Sequence, residues 1–257
     1  MIDFTSIEQL LLDTDQSGLP LWENILLSDC AHQGIERSAS WTKMAAYALT
    51  AHPLCGPFLS EVMAGALRMG ECNACMKRIV AAPTAGACGV LPAVLLPYGR
   101  HFEASQEQLV QALYIASGFG MILAHRASIS GAEGGCQAEI GSAAAMAAPA
   151  LVHLQGGTPE QMANACAMAV KNLLGLVCDP VGGLVEVPCV KRNVIGAMDA
   201  LSAAQMALAG IVSRIPADQV LDAMAEVGES LPHTLRETGK GGLAATPFGM
   251  QYAPKEL

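Results

Sequence analysis

Helical periodicity runs through almost all of this 257-residue chain, and no segment sustains the alternation of β-branched and polar residues that a sheet requires. Ser105-Gln106-Glu107-Gln108 has the form of a capping box, in which the first and fourth residues satisfy each other's backbone N–H, and it opens the apolar run LVQALYIASGFGMILAH. Thr158-Pro159-Glu160-Gln161 repeats the device with proline at the first helical position, ahead of QMANACAMAVKNLLGLVC. A third run begins at Asn193 and is expected to end near Ile215-Pro216, and Ala217-Asp218 starts another that reaches about Glu229. The expected fold class is therefore all-α. Alanine and glycine are abundant and aromatic residues make up only 4% of the chain, so the helices should pack closely and leave the chemistry to glycine-rich loops. No repeat, low-complexity tract or charged linker divides the chain.

Charged residues are 14% of the chain against 52% apolar, well below the usual charged quarter, so much of the surface should face protein, as a partner chain or a homo-oligomer. The net charge is −9 and the longest basic runs are the pairs Lys77-Arg78 and Lys191-Arg192, which argues against nucleic acid. Polar residues interrupt the most apolar windows (Asn164 and Lys171 in one, Asp199, Ser202 and Gln205 in another), which favours a packed helical interior over a membrane span. The start, MIDFTSIEQLLLDTD, has acidic residues and no basic region of the secretory kind, so a cytoplasmic location is expected. In that compartment the nine cysteines are packing residues, nucleophiles or metal ligands rather than a disulfide framework.

The loops single out a few of them. IVAAPTAGACGVLP, residues 79 to 92, reads either as a tight connection or as a nest of backbone N–H groups for an anion. In SISGAEGGCQAE a glycine pair precedes Cys136 and a helix is expected after Glu139, which places the thiol near a helix N-terminus. Glu133 and Glu139 count against a nucleophile there, because nearby negative charge raises a thiol pKa. LVCDPVGGLVEVPCVKRN carries Cys178, expected at the end of a helix, and Cys189, each close to a proline. A structural zinc closes its shell with four ligands, whereas an iron–sulfur cubane on three thiolates leaves one iron without a protein ligand. Cys72-Asn73-Ala74-Cys75 is a CxxC, but ALRMGECNACMKRIV reads as continuous helix, which favours packing there. His125 lies near the serine approach to Cys136, and no histidine has a motif that makes it catalytic.

Taken in order, Glu71 with Asn73-Ala74, IVAAPTAGACGVLPAVLL, SISGAEGGCQAEIGSAAAMAA, GGTPEQ, NLLGLVCDPVGGLVEVPCVKRN and LRETGKGGLAATPFG resemble the iron–sulfur-dependent L-serine dehydratases (L-serine ammonia-lyases), and within them the alpha chain of the two-chain form. The resemblance covers about residues 65 to 250. It separates an N-terminal helical segment, 1–64, from an iron–sulfur catalytic core, 65–257. It implies a [4Fe–4S] cluster held by Cys136, Cys178 and Cys189, with L-serine bound by Pro83, Thr84, Ala85, Gly86, Ser128 and Ser130. The implied reaction removes water from L-serine to give pyruvate and ammonia, with the open iron as Lewis acid, in amino-acid degradation and gluconeogenesis. One-chain members carry a further domain with a serine-rich segment ending in histidine and threonine. Here Ser38-Ala39-Ser40 lacks the histidine, so the general base is expected on a beta chain. Leu54-Cys55-Gly56-Pro57 replaces a glycine-rich segment, and the tail QYAPKEL has no cysteine to cap the cluster. A cluster-dependent cysteine desulfidase and a non-catalytic zinc–thiolate scaffold are the alternatives.

Overall fold

The computed structural model describes residues 40–50 and 52–252. Among the described residues there are nine α-helices and no β-strand; the nearest thing to a sheet is an isolated parallel bridge between Cys178 and Arg236. The helices are α1 (Ser40–Ala48), α2 (Gly56–Ala74), α3 (Val90–His101), α4 (Gln106–Arg126), the single turn α5 (Gly131–Gly134), α6 (Ser142–Leu154), α7 (Pro159–Leu173), α8 (Cys189–Leu208) and α9 (Ala217–Ser230). A π-helical turn, Gln137–Gly141, runs directly into α6.

The core is built around α6, whose residues Ser142 to Val152 are all buried. α3, α4, α7 and α8 pack around it. Alanine loses no side-chain entropy in a helix and lets neighbouring backbones come close, which is why SAAAMAAPALV can be surrounded on every side. The contacts leave little slack. A Cβ on Gly120 of α4 would lie 2.8 Å from the terminal methyl of Met146, and one on Gly196 of α8 would lie 2.8 Å from Cγ2 of Ile140.

Both capping boxes form. Ser105 Oγ accepts the Gln108 N–H at 3.2 Å while Gln108 Oε1 accepts the Ser105 N–H at 2.8 Å. Thr158 and Gln161 repeat the exchange at 3.3 and 2.9 Å. Each cap stabilises its helix by about 1 kcal/mol.

Several helix boundaries differ from expectation. The third run starts four residues early, at Cys189 behind Pro188, and stops at Leu208. There the Ile211 N–H reaches Met206 O and the Gly210 N–H reaches Ala207 O, a Schellman ending for which Gly210 takes φ +84°. α2 ends at Ala74 and does not continue through Arg78, because Lys77 N–H bonds Cys72 O and Met76 adopts φ +56°. α7 ends at Leu173, so Cys178 lies in the following loop and not at a helix end. His125 falls inside the last turn of α4.

By length and composition α4 is the one helix among the described residues apolar enough to cross a membrane, and 22% of that stretch is buried in the chain. Leu113, Tyr114 and Met121 stand exposed on it, an apolar surface of the kind the low charge fraction leads one to expect. The N-terminal stretch MIDFTSIEQLLLDTD, Ser38-Ala39 and residues 253–257 lie outside the described residues, as do Cys30 and His32.

Candidate functional site

Three loops deliver three thiols to one place. Cys136 precedes the π-helical turn, Cys178 follows α7, and Cys189 is the first residue of α8. Their exposures are 2%, 2% and 8%. Gly135 makes the first delivery possible: it has φ +75°, and a Cβ there would stand 2.6 Å from Leu231 Cδ1 and 3.0 Å from Leu176 O. Cys178 is held through its main chain, donating to Leu235 O at 2.9 Å and accepting from Glu237 N at 2.8 Å, so the tail LRETGKGG closes over its loop. Gln137 braces the π-helical turn by donating to Met224 O and accepting from Gly175 N, both at 2.9 Å.

Two side chains from the first turn of α8 tie the loops together. Arg192 is buried and donates to Val177 O at 2.7 Å and to Asp179 Oδ1 at 2.9 Å, and its positive charge acts on the Cys136 thiol. Asp179 Oδ2 in turn accepts the Leu243 N–H at 2.8 Å. Asn193 accepts the Gly89 N–H at 2.8 Å and donates to Gly86 O and Cys189 O at 2.8 and 3.0 Å. The small-residue loop is thereby fastened to the helix that carries Cys189.

Glu139 stands where that loop meets the thiols. Thr84 Oγ1 donates to Glu139 Oε1 at 2.8 Å. A Cβ on Gly131 would lie 2.9 Å from Glu139 Oε2 and 3.2 Å from Cys178 Sγ, which places the carboxylate and the sulfur on two sides of one small gap.

The electrostatics are those of buried sulfurs with one guanidinium beside them. Burial pushes the Cys136 thiol up to about 11, with Arg192 opposing and Glu139 adding. Cys189 rises to about 12 through burial and then through Cys136 and Glu139. Cys178 is also pushed well up, by burial first and then by Cys136, Glu139 and Cys189. Such thiols are protonated and poor nucleophiles, but soft donors whose protons a cationic centre can displace. Among the described residues no three His, Cys, Asp or Glu side chains form a group that could hold a single metal ion.

Residues 14–244 match the family model described as "Serine dehydratase alpha chain". The chain belongs to that family. It is 54% identical over 213 residues to the "Probable L-serine dehydratase, alpha chain" of Bacillus subtilis, covering 83% of this chain and 71% of that one. It is 46% identical to the "L-serine dehydratase, alpha chain" of Peptoniphilus asaccharolyticus, covering 80% and 70%. The "L-serine dehydratase TdcG" of Escherichia coli is 45% identical over 181 residues, which are 70% of this chain but 40% of that protein.

Within this serine dehydratase alpha chain fold, the residues expected at the substrate divide into groups. Thr84 and Gly86 reach Glu139 beside the thiols. Pro83 follows a cis peptide bond in the same loop, and Ala85 turns to a cavity of about 370 Å³ shared with Asn73, Leu184 and Glu186. Ser128 donates to Glu133 Oε2 at 2.5 Å and lines a different cavity, about 440 Å³, with Arg126 and Arg236. Ser130 precedes α5 and gives it no side-chain cap. Cys72 is in the last turn of α2 and Cys75 caps it, both half-buried. Cys88 and Cys166 are buried, and burial raises their thiols to about 11 and about 12.

Sequence reasoning gave no role to Arg192, Asn193 or Glu139. For the first two the signal was Pro188: a helix opening directly behind it brings positions 192 and 193 into the first turn, beside Cys189.

Proposed function

We propose that this chain is the cluster-bearing alpha chain of a cytoplasmic L-serine dehydratase, with Cys136, Cys178 and Cys189 as the ligands of a 4Fe–4S cluster, and that it works with a beta chain. The observation that carries the reading is the meeting of three buried thiols from three separate loops, walled by Arg192 and Glu139, in a chain whose relatives bear the name L-serine dehydratase. The donor set fits the group: soft sulfurs, buried, repelling one another when ionised, with one guanidinium beside them. When bound, the cluster would supply a Lewis-acidic iron for the substrate hydroxyl.

The chain's own residues have distinct tasks. Burial excludes water from the sulfurs. Arg192 compensates thiolate charge at Cys136 while its pairing with Asp179 fixes its position. Asn193 keeps the Thr84–Gly86 loop at a set distance from Cys189. The base that removes the Cα proton is assigned to the beta chain, in keeping with the 40% share of the Escherichia coli relative that this chain spans. Loss of water then leaves an enamine that hydrolyses to pyruvate and ammonia.

The test is anaerobic co-production with the beta chain, followed by assay of L-serine and L-cysteine side by side. Pyruvate and ammonia from L-serine support the reading. Sulfide from L-cysteine with no reaction on L-serine would replace it with a desulfidase, and zinc in place of iron with no elimination would replace it with a scaffold.

A further inference from the structure

Resting on the serine dehydratase reading, we propose that Glu139 is the counter-ion for the substrate's α-ammonium group, and so the residue that makes this site select an amino acid over the corresponding hydroxy acid.

The placement comes first. Glu139 projects from the π-helical turn that follows Cys136, and its two oxygens are used unequally. Oε1 is held by the Thr84 hydroxyl at 2.8 Å, while Oε2 receives no hydrogen bond among the described residues. Oε2 is also the oxygen nearest the position a Gly131 side chain would occupy, the same position that lies 3.2 Å from Cys178 Sγ. On the other side, a Cβ on Gly86 would come within 3.1 and 3.2 Å of the two oxygens. Two glycines therefore lie against this carboxylate where a larger side chain would press on it, and one of them also lies next to a thiol.

The charges come second. Glu139 has an acidic neighbour in Glu237, and its own charge opposes ionisation of the three thiols. Arg192, the guanidinium at these sulfurs, is taken up by Asp179 and Val177 O. A half-buried carboxylate left without a cation is costly. An amino acid brings one, and a charged hydrogen bond from an ammonium to Oε2 would complete the carboxylate while Thr84 fixes its direction. L-Serine differs from L-glycerate (2,3-dihydroxypropanoate) in carrying that ammonium where glycerate has a hydroxyl, so the carboxylate has something to distinguish.

The experiment uses the anaerobically prepared alpha–beta complex and reads L-serine binding as the KM of its turnover and L-glycerate binding as its inhibition constant against that turnover, with iron content recorded on the same samples. Glu139→Gln keeps the shape and the Thr84 contact but removes the charge. It is expected to weaken L-serine binding about 10- to 100-fold, the loss typical of a charged hydrogen bond, and to change L-glycerate binding by less than about threefold. Glu139→Asp is expected to retain part of the preference for serine. Equal weakening of both ligands, unchanged serine binding, or loss of iron from Glu139→Gln each overturns the proposal, the last by making Glu139 a support of the thiols. If the unsubstituted complex fails to bind or dehydrate L-serine, the parent reading fails instead. A wild-type complex that binds serine beside an unaffected Glu139→Gln removes this proposal alone.

Discussion

The side chain of Asn193 accepts the backbone N–H of Gly89 at 2.8 Å, joining residues that are 104 positions apart in the sequence. The same carboxamide donates to Gly86 O and Cys189 O, so one buried group links the small-residue loop to the start of α8. A buried amide that serves three main-chain groups cannot be replaced by an apolar side chain without leaving them unpaired. Asn193→Ala is expected to destabilise the chain by about 2–4 kcal/mol, read from urea unfolding. Asn193→Asp can still accept from Gly89 but turns an oxygen toward the Gly86 and Cys189 carbonyls, and should destabilise at least as much as alanine.

Asp179 and Arg192 form a buried ion pair whose members also hold Leu243 N and Val177 O. Removing one partner of such a pair leaves an uncompensated charge. Arg192→Met is expected to cost about 3–5 kcal/mol. Arg192→Lys should recover only part of it, because an ammonium lacks the guanidinium's fixed fork of donors. Thermal and urea unfolding of the two variants check the order.

How much of this was legible beforehand depends on range. Both capping boxes could be read from four-residue spacings, because a cap is a local exchange between a side chain and the backbone three residues away. The three thiols stood out from their loops, through the glycines before Cys136 and the prolines near Cys178 and Cys189. Asn193 with Gly89, Thr84 with Glu139 and Cys178 with Leu235 were not legible, since each joins segments far apart in sequence and carries no local pattern. The early stop of α2 was hidden for another reason: its left-handed residue is Met76, and no glycine marks the turn.

Asp199 supplies a pH dependence. It is buried on α8, Asn172 donates to its Oδ1 at 2.6 Å, and its Oδ2 has no hydrogen-bond partner. Burial lifts its carboxyl from 3.8 to about 6, with Asn172 opposing. Because the folded value is the higher one, the folded state holds the extra proton between those values, and stability contributed by the protonated form is lost as pH rises through about 6. Asp199→Asn should therefore stabilise the chain more at about pH 7.5 than at about pH 5, by roughly 1.4 kcal/mol, read from thermal unfolding at the two pH values.

Gly131 and Gly118 make a matched pair for testing the shape of the site. A Cβ on Gly131 would press on Glu139 Oε2 and Cys178 Sγ, whereas one on Gly118 meets nothing within 4 Å. Gly131→Ala is expected to lower iron retention and L-serine turnover in the complex while the helical circular-dichroism signal stays. Gly118→Ala should leave both unchanged or slightly improve stability, as alanine does in a helix.

The most direct measurement is iron and acid-labile sulfide per alpha chain in the anaerobically isolated complex, compared across single cysteine variants. The wild type is expected to hold about four irons per chain and to absorb broadly in the visible. Cys136→Ala, Cys178→Ala and Cys189→Ala should each lose both the iron and the colour, while Cys166→Ala, buried in α7 away from the site, should keep them. Unchanged cluster content in those three variants would contradict the assignment of these thiols as ligands.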